Sequence, residues 1–194
     1  ARAYGPGMRN GLIVLCLSCA AAQGGVTLWG SVAIPGVASD FSGLSQKVSG
    51  IPHNRLGSMG SGIAYSGSGD VYYGINDRGP QDGRVPYACR FQVVRLGLGP
   101  PVTAALIGTT LLTDADGAPL TGFAAESGLV ICGEQRTPRR FDAEGIVSVP
   151  GALYVCEEYG PRIAKFSMSG ELEQVWNAPK GFGVKTPHAD PAVE

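Results

Sequence analysis

The chain has 194 residues, 44% of them hydrophobic, enough for a packed core and too many for a wholly disordered polymer. Only 16% are charged, the formal net charge is -1, and Lys and Arg are scattered singly, so the chain lacks the basic stripe that would make nucleic acid a partner. The 30 Gly and 14 Pro residues suit many short strands joined by tight turns, which points to an all-β fold.

Residues 1–7 precede Met8 and read as an upstream extension. Residues 8–22 have the pattern of a secretory signal peptide. Arg9 supplies the positive end, and Leu12-Ile13-Val14-Leu15-Cys16-Leu17 is an apolar run too short to cross a bilayer. Ala20 and Ala22 are the small residues that a signal peptidase requires. Cleavage is expected after Ala22, leaving residues 23–194 as a secreted or periplasmic chain with no transmembrane helix; a buried N-terminal strand is the competing reading. Of the 5 Cys, this leaves Cys89, Cys132 and Cys156, an odd set in which no disulfide can be assigned. Cys132 and Cys156 stand in apolar strand-like runs, where a Cys is expected to be a small buried hydrophobe. His53 and His188 lie far apart without a neighbouring Cys or His, which gives a zinc site little support.

Two stretches of the mature chain resemble one another. The first runs Gly62-Ile63-Ala64-Tyr65, a Ser/Gly turn, then Asp70-Val71-Tyr72-Tyr73-Gly74-Ile75-Asn76-Asp77-Arg78-Gly79-Pro80. The second runs Gly145-Ile146-Val147-Ser148, a Pro150-Gly151 turn, then Ala152-Leu153-Tyr154-Val155-Cys156-Glu157-Glu158-Tyr159-Gly160-Pro161. Each reads as a β-hairpin, because aromatic and β-branched residues favour strands while Gly and Pro punctuate them. The second copy continues through Arg162-Ile163-Ala164-Lys165-Phe166-Ser167, in which Ile163 and Lys165 face one way and Ala164 and Phe166 the other, and then through Leu172 to Trp176. Four short antiparallel strands of this kind make one propeller blade.

The copies are about 80 residues apart, roughly twice the span of a blade, so an intervening blade is expected between Arg90 and Ile131, with strands at Phe91 to Leu96 and Ala104 to Leu112. The mature chain would then hold roughly four blades. Because the tail from Asn177 ends in Pro-rich sequence without a closing strand, the set of four-stranded blades is read as an incomplete β-propeller domain. A β-sandwich or two-sheet α+β fold is the alternative.

Acidic groups occur at matching places in the two copies, after an apolar strand and before Gly-Pro, and are expected at one rim. Asp77 and Arg78 belong to the first copy; Asp142, Glu144, Glu157, Glu158 and Arg162 belong to the second. Converging carboxylates suit a hard cation such as Ca²⁺, so Asp142, Glu144, Glu157 and Glu158 are the candidate metal ligands. Such an ion polarises a phosphoryl oxygen or lowers the pKa of water, while Arg78 and Arg162 could bind an anionic substrate oxygen. The competing reading makes the same charges strand-end salt bridges. No Gly-x-Ser-x-Gly elbow is present, and the glycines of residues 57–69 open no helix, which argues against a serine triad and against a nucleotide loop.

Ile75-Asn76-Asp77-Arg78-Gly79-Pro80, with Phe141-Asp142-Ala143-Glu144-Gly145-Ile146 and Glu157-Glu158-Tyr159-Gly160-Pro161-Arg162-Ile163, resembles the phytase-like family, also described as esterase-like activity of phytase. The resemblance covers about residues 57–176. It implies an exported propeller with ester or phosphoester hydrolase activity, acting on a small-molecule ester or phosphate ester, with catalytic candidates Asp77, Arg78, Asp142, Glu144, Glu158 and Arg162. The other readings are a non-catalytic propeller that binds a cell-envelope partner and a lactonase-like propeller; the Gly-Pro-Arg string argues against the latter.

Overall fold

The computed structural model describes residues 27–179 and 181–182, and the expected extension, signal peptide and cleavage site lie outside them. Among the described residues every regular element is a strand, as the composition predicts. After a small hairpin of β1 (Lys47–Val48) and β2 (Ile51–Pro52) comes a four-stranded antiparallel sheet in the order β3 (Met59–Tyr65), β4 (Val71–Asn76), β5 (Arg90–Gly97), β6 (Thr103–Leu111). A second hairpin, β7 (Leu129–Cys132) with β8 (Gln135–Pro138), precedes another four-stranded sheet. Its strands β9 (Ala143–Val149), β10 (Ala152–Glu157), β11 (Arg162–Ser167) and β12 (Leu172–Asn177) also pair in chain order.

The two repeats are therefore the first two strands of each sheet, and the blade-like meander expected for the second copy is present. The intervening blade is not. β5 and β6, assigned from sequence to a separate blade, are the third and fourth strands of the first sheet. Phe91 pairs with Ile75 and Thr110, just as Ile163 pairs with Cys156 and Trp176 in the second sheet. The long loop between β4 and β5 conceals this equivalence, because in the second sheet the corresponding connection is a tight turn. Two four-stranded sheets and two hairpins replace the four blades expected.

The sheets pack face to face over one core. Ile75 and Phe91 from the first meet Ile146, Leu153, Val155 and Phe166 from the second, with Leu112, Leu120 and Phe141 from the connecting segment. Phe141 and Phe166 pack edge to face at 5.7 Å. The first strands, β3 and β9, run against one another. Their backbones approach so closely that a Cβ on Gly62 would lie 2.9 Å from the Ile146 nitrogen, whereas a Cβ on Gly145, which opens the other repeat, would lie 2.9 Å from Cys156 Sγ of its own sheet.

The segment before β3 is fastened to the first sheet by a buried polar cluster. Arg90 pairs with Asp40 at 2.5 Å, donates to the His53 carbonyl at 3.1 Å and lies 3.9 Å from the Tyr87 ring centroid. His53, loop-like in sequence, is buried and its Nε2 accepts the Ala88 N–H at 3.0 Å; burial lowers its pKa. Cys89, Cys132 and Cys156 are all free thiols. Cys89 and Cys132 are buried, but Cys156 is exposed, contrary to expectation, because it points from β10 to the face of the second sheet that no described element covers.

Candidate acidic site

The β4–β5 loop, the start of β9 and the turn after β10 converge at one end of the two sheets. Asp142, immediately before β9, is only 1% exposed. Its Oδ1 accepts the Arg78 backbone N–H at 3.0 Å, and its Oδ2 lies 3.2 Å from Arg78 Nη1 without a hydrogen-bond partner. The Asp142 carbonyl accepts the Glu158 N–H at 3.1 Å, which fixes the β10 turn beside β9. Glu144 and Glu158 are exposed, and one carboxylate oxygen from each of Asp142, Glu144 and Glu158 lies within 4.8 Å of the others.

Burial is the largest influence on Asp142 and pushes its carboxyl up to about 7. Arg78 opposes that rise, whereas Glu144, Glu158 and Asp77 add to it by repulsion. Burial first, and then the neighbouring carboxylates, make the Asp142 charge costly, and Arg78 supplies only part of the balance. Three carboxylate oxygens fit a hard divalent ion that completes its six to eight ligands with water or substrate oxygen.

Asp77 is turned into its own loop. Its Oδ2 accepts the Ser58 hydroxyl at 2.7 Å and its Oδ1 the Gly79 N–H at 2.7 Å. Arg78 also donates from Nε to Asp82 at 2.9 Å and lies over the Tyr159 ring at 5.7 Å. The loop is held from below by Gly122, where a Cβ would lie 2.0 Å from the Arg78 carbonyl oxygen. Tyr159 donates its hydroxyl to the Gly122 carbonyl at 3.0 Å and receives Arg140 at 5.3 Å, so one aromatic ring ties both repeats to the connecting segment. Arg140 and Asp82 lie outside the sequence motifs, and Tyr159 lies within one that assigns it no role; only the spatial meeting of three loops gives them one.

Two of the candidates stand apart from the cluster. Glu157 is buried, with Oε1 at 2.8 Å from Arg162 Nε. It also accepts backbone N–H groups from Asp142, Tyr159 and Gly160 at 3.4, 3.0 and 3.3 Å. Arg162 directs its remaining donors to Thr137 Oγ1 and to the Pro138 and Arg140 carbonyls, at 3.2 and 2.8 Å for the carbonyls. Burial raises Glu157 and lowers Arg162, each against the pull of its partner. Glu157 therefore shapes the Asp142 backbone rather than joining its carboxylates, and Arg162 is surrounded by protein acceptors.

The family model described as phytase-like, esterase-like activity of phytase, matches residues 54–192 and so includes both repeats and every residue of this site. The chain belongs to the phytase-like family. An uncharacterized secreted protein of Arthroderma benhamiae is 32% identical over 173 residues, covering 66% of this chain and 34% of the relative. The phytase-like chain thus spans about a third of that relative's length. No solved structure matches it. Among its described residues no helix is long and apolar enough to cross a membrane.

Proposed function

We propose that this phytase-like chain is part of an exported hydrolase that acts on a small phosphate ester or related ester with the help of a bound Ca²⁺. The observation that carries the reading is the convergence of Asp142, Glu144 and Glu158, from both sides of the β9–β10 pair, beside a guanidinium from the other repeat. Export is supported by the leader-like residues 8–22 and by the secreted description of the Arthroderma relative.

In this reading Asp142, Glu144 and Glu158 hold the cation, which when bound supplies a Lewis acid for a phosphoryl or carbonyl oxygen. Arg78 keeps Asp142 oriented through its backbone N–H and offers positive charge to an anionic substrate. Asp77 rigidifies the loop that presents Arg78, and Glu157, paired with Arg162, holds the Asp142, Tyr159 and Gly160 backbones from beneath.

The test is thermal unfolding with and without Ca²⁺, followed by turnover of nitrophenyl phosphate, phytate and nitrophenyl esters. A cation bound only by the folded chain adds about 2.7 kcal/mol at roughly 100 times its Kd, and the shift should vanish with chelator and with Asp142→Ala. A folded sample with neither a Ca²⁺-dependent shift nor hydrolysis of any of these esters removes the proposal and leaves the carboxylates as structural charges.

A further inference from the structure

The β4–β5 loop, which presents Arg78 to the acidic site, is gripped at both ends by one stretch of the segment ahead of β3. At its start Ser58 Oγ donates to Asp77 Oδ2 at 2.7 Å, and near its end Tyr87 donates its hydroxyl to the Arg55 carbonyl at 2.7 Å. The next residue, Ala88, donates its N–H to His53 Nε2 at 3.0 Å. The two ends also touch each other, since a Cβ on Gly79 would lie 2.3 Å from Tyr87 Cδ1. Movement at Tyr87 and Ala88 is therefore passed by close packing to the backbone beside Arg78.

One of these grips depends on a proton. His53 is 8% exposed, and because its Nε2 accepts an N–H, the neutral ring carries its proton on Nδ1. Nδ1 has no hydrogen-bond partner among the described residues. In the imidazolium both nitrogens are donors, so Nε2–H would face the Ala88 N–H, two buried donors with no acceptor between them. Arg90 from β5 donates to the His53 carbonyl at 3.1 Å and pairs with Asp40, while the Tyr87 ring lies 6.0 Å from the imidazole. The cluster thus already balances one cation with one anion. Burial first and then Arg90 lower the pKa of His53 from its ordinary 6.5, against the pull of Asp40.

We propose that His53 is a pH-sensitive latch: neutral, it closes residues 53–58 onto the end of the β4–β5 loop and so holds Arg78 in place; protonated, it releases Ala88 and loosens that loop while the sheets stay folded. The acidic site is assembled near neutrality and loosened in acid. His53 acts through Ala88 and Tyr87 and is a positioning residue, whatever the acidic cluster binds. The sign follows from the lowered value: below 6.5 the open chain takes up a proton that the latched ring refuses, so latching weakens as pH falls toward the latched value.

The test is amide hydrogen exchange, corrected for intrinsic rates, at about pH 7.5 and about pH 5.5. It is read at Ala88, at Ala124, whose N–H reaches the loop at the Gly83 carbonyl, and at Ala164 inside the second sheet. Protection at Ala88 and Ala124 should fall about tenfold relative to Ala164 between the two conditions. His53→Gln, whose Oε1 accepts without titrating, should match wild type at the higher pH and lose this dependence. His53→Phe, with no acceptor, should be as open at the higher pH as wild type is at the lower. If Ala88 and Ala164 fall together, His53 titrates only on global unfolding; if Ala88 opens while Ala124 stays closed, the latch does not reach the loop. Either result overturns the proposal. Asp142 also titrates in this region, so a dependence that survives His53→Gln belongs elsewhere and overturns it too. An imidazole nitrogen spectrum at the higher pH needs no variant: a proton on Nδ1 is expected, and one on Nε2 overturns the proposal. None of these readouts depends on a cation or on hydrolysis.

Discussion

Asn76 and Glu157 end the second strands of the two sheets, at equivalent places in the repeats, and both are buried. Asn76 is neutral: its Nδ2 donates to the Leu56 and Ser58 carbonyls at 2.6 and 2.9 Å, and its Oδ1 accepts from Gln92 at 3.0 Å. It fastens the segment ahead of its sheet. Glu157 is ionisable, and it gathers the backbone on both sides of the acidic cluster while Arg162 balances it. One structural position is thus satisfied by an amide in one sheet and by an ion pair in the other, and only the ion pair is tied to the site. The desolvation of two charges is offset only while both partners remain.

The largest expected effect breaks that pair. Arg162→Met leaves Glu157 buried without its cation and should lower stability by about 3–5 kcal/mol in urea unfolding. The corresponding change in the first sheet, Asn76→Leu, removes an amide whose partners are left unsatisfied and should cost about 1–3 kcal/mol. Equal losses at the two positions would mean that the ion pair and the amide network are energetically alike.

A pH-dependent effect is expected at Asp142, whose carboxyl burial raises in the same direction as that of Glu157. Burial raises Asp142 from its unfolded value near 3.8 to about 7, so between those values the folded chain holds a proton that the unfolded chain has released. Its contribution is therefore present below about pH 4 and is lost as pH rises toward 7. The stability difference between wild type and Asp142→Asn should decline from pH 5 to pH 7 and flatten above it, which denaturant midpoints at several pH values would check. Ca²⁺ acts in the opposite direction, because it requires the ionised carboxylate; its apparent affinity should rise through the same interval, measurable by calorimetric titration. The smallest effect is expected at the exposed Arg95–Asp70 pair, 3.3 Å apart on the first sheet, where Arg95→Ala should change stability by less than about 1 kcal/mol.

Strand positions were legible because they depend on local pattern. Alternation through Arg162 to Ser167 separates Ile163 and Lys165 from Ala164 and Phe166, as the sheet does. The partners of β5 and β6 were not legible. The loop carrying Arg78 and Asp82 lies between β4 and β5, and a long connection hides which strands it joins. The acidic residues of the site could be named from their motifs, yet Glu157 and Glu158 are neighbours with opposite fates, one facing Arg162 in the interior and the other turned outward beside Asp142 and Glu144.

The sequence by itself determined an all-β chain, two related hairpins and a set of acidic residues near their ends, since strand propensity, turn chemistry and period-two alternation act over a few residues. The tertiary structure decided which strands share a sheet, that Arg78 meets Asp142, that Cys156 is exposed and that Glu157 is buried. Those outcomes depend on close approach between segments far apart in the chain, where burial changes the cost of a charge and a single glycine decides whether two backbones can meet.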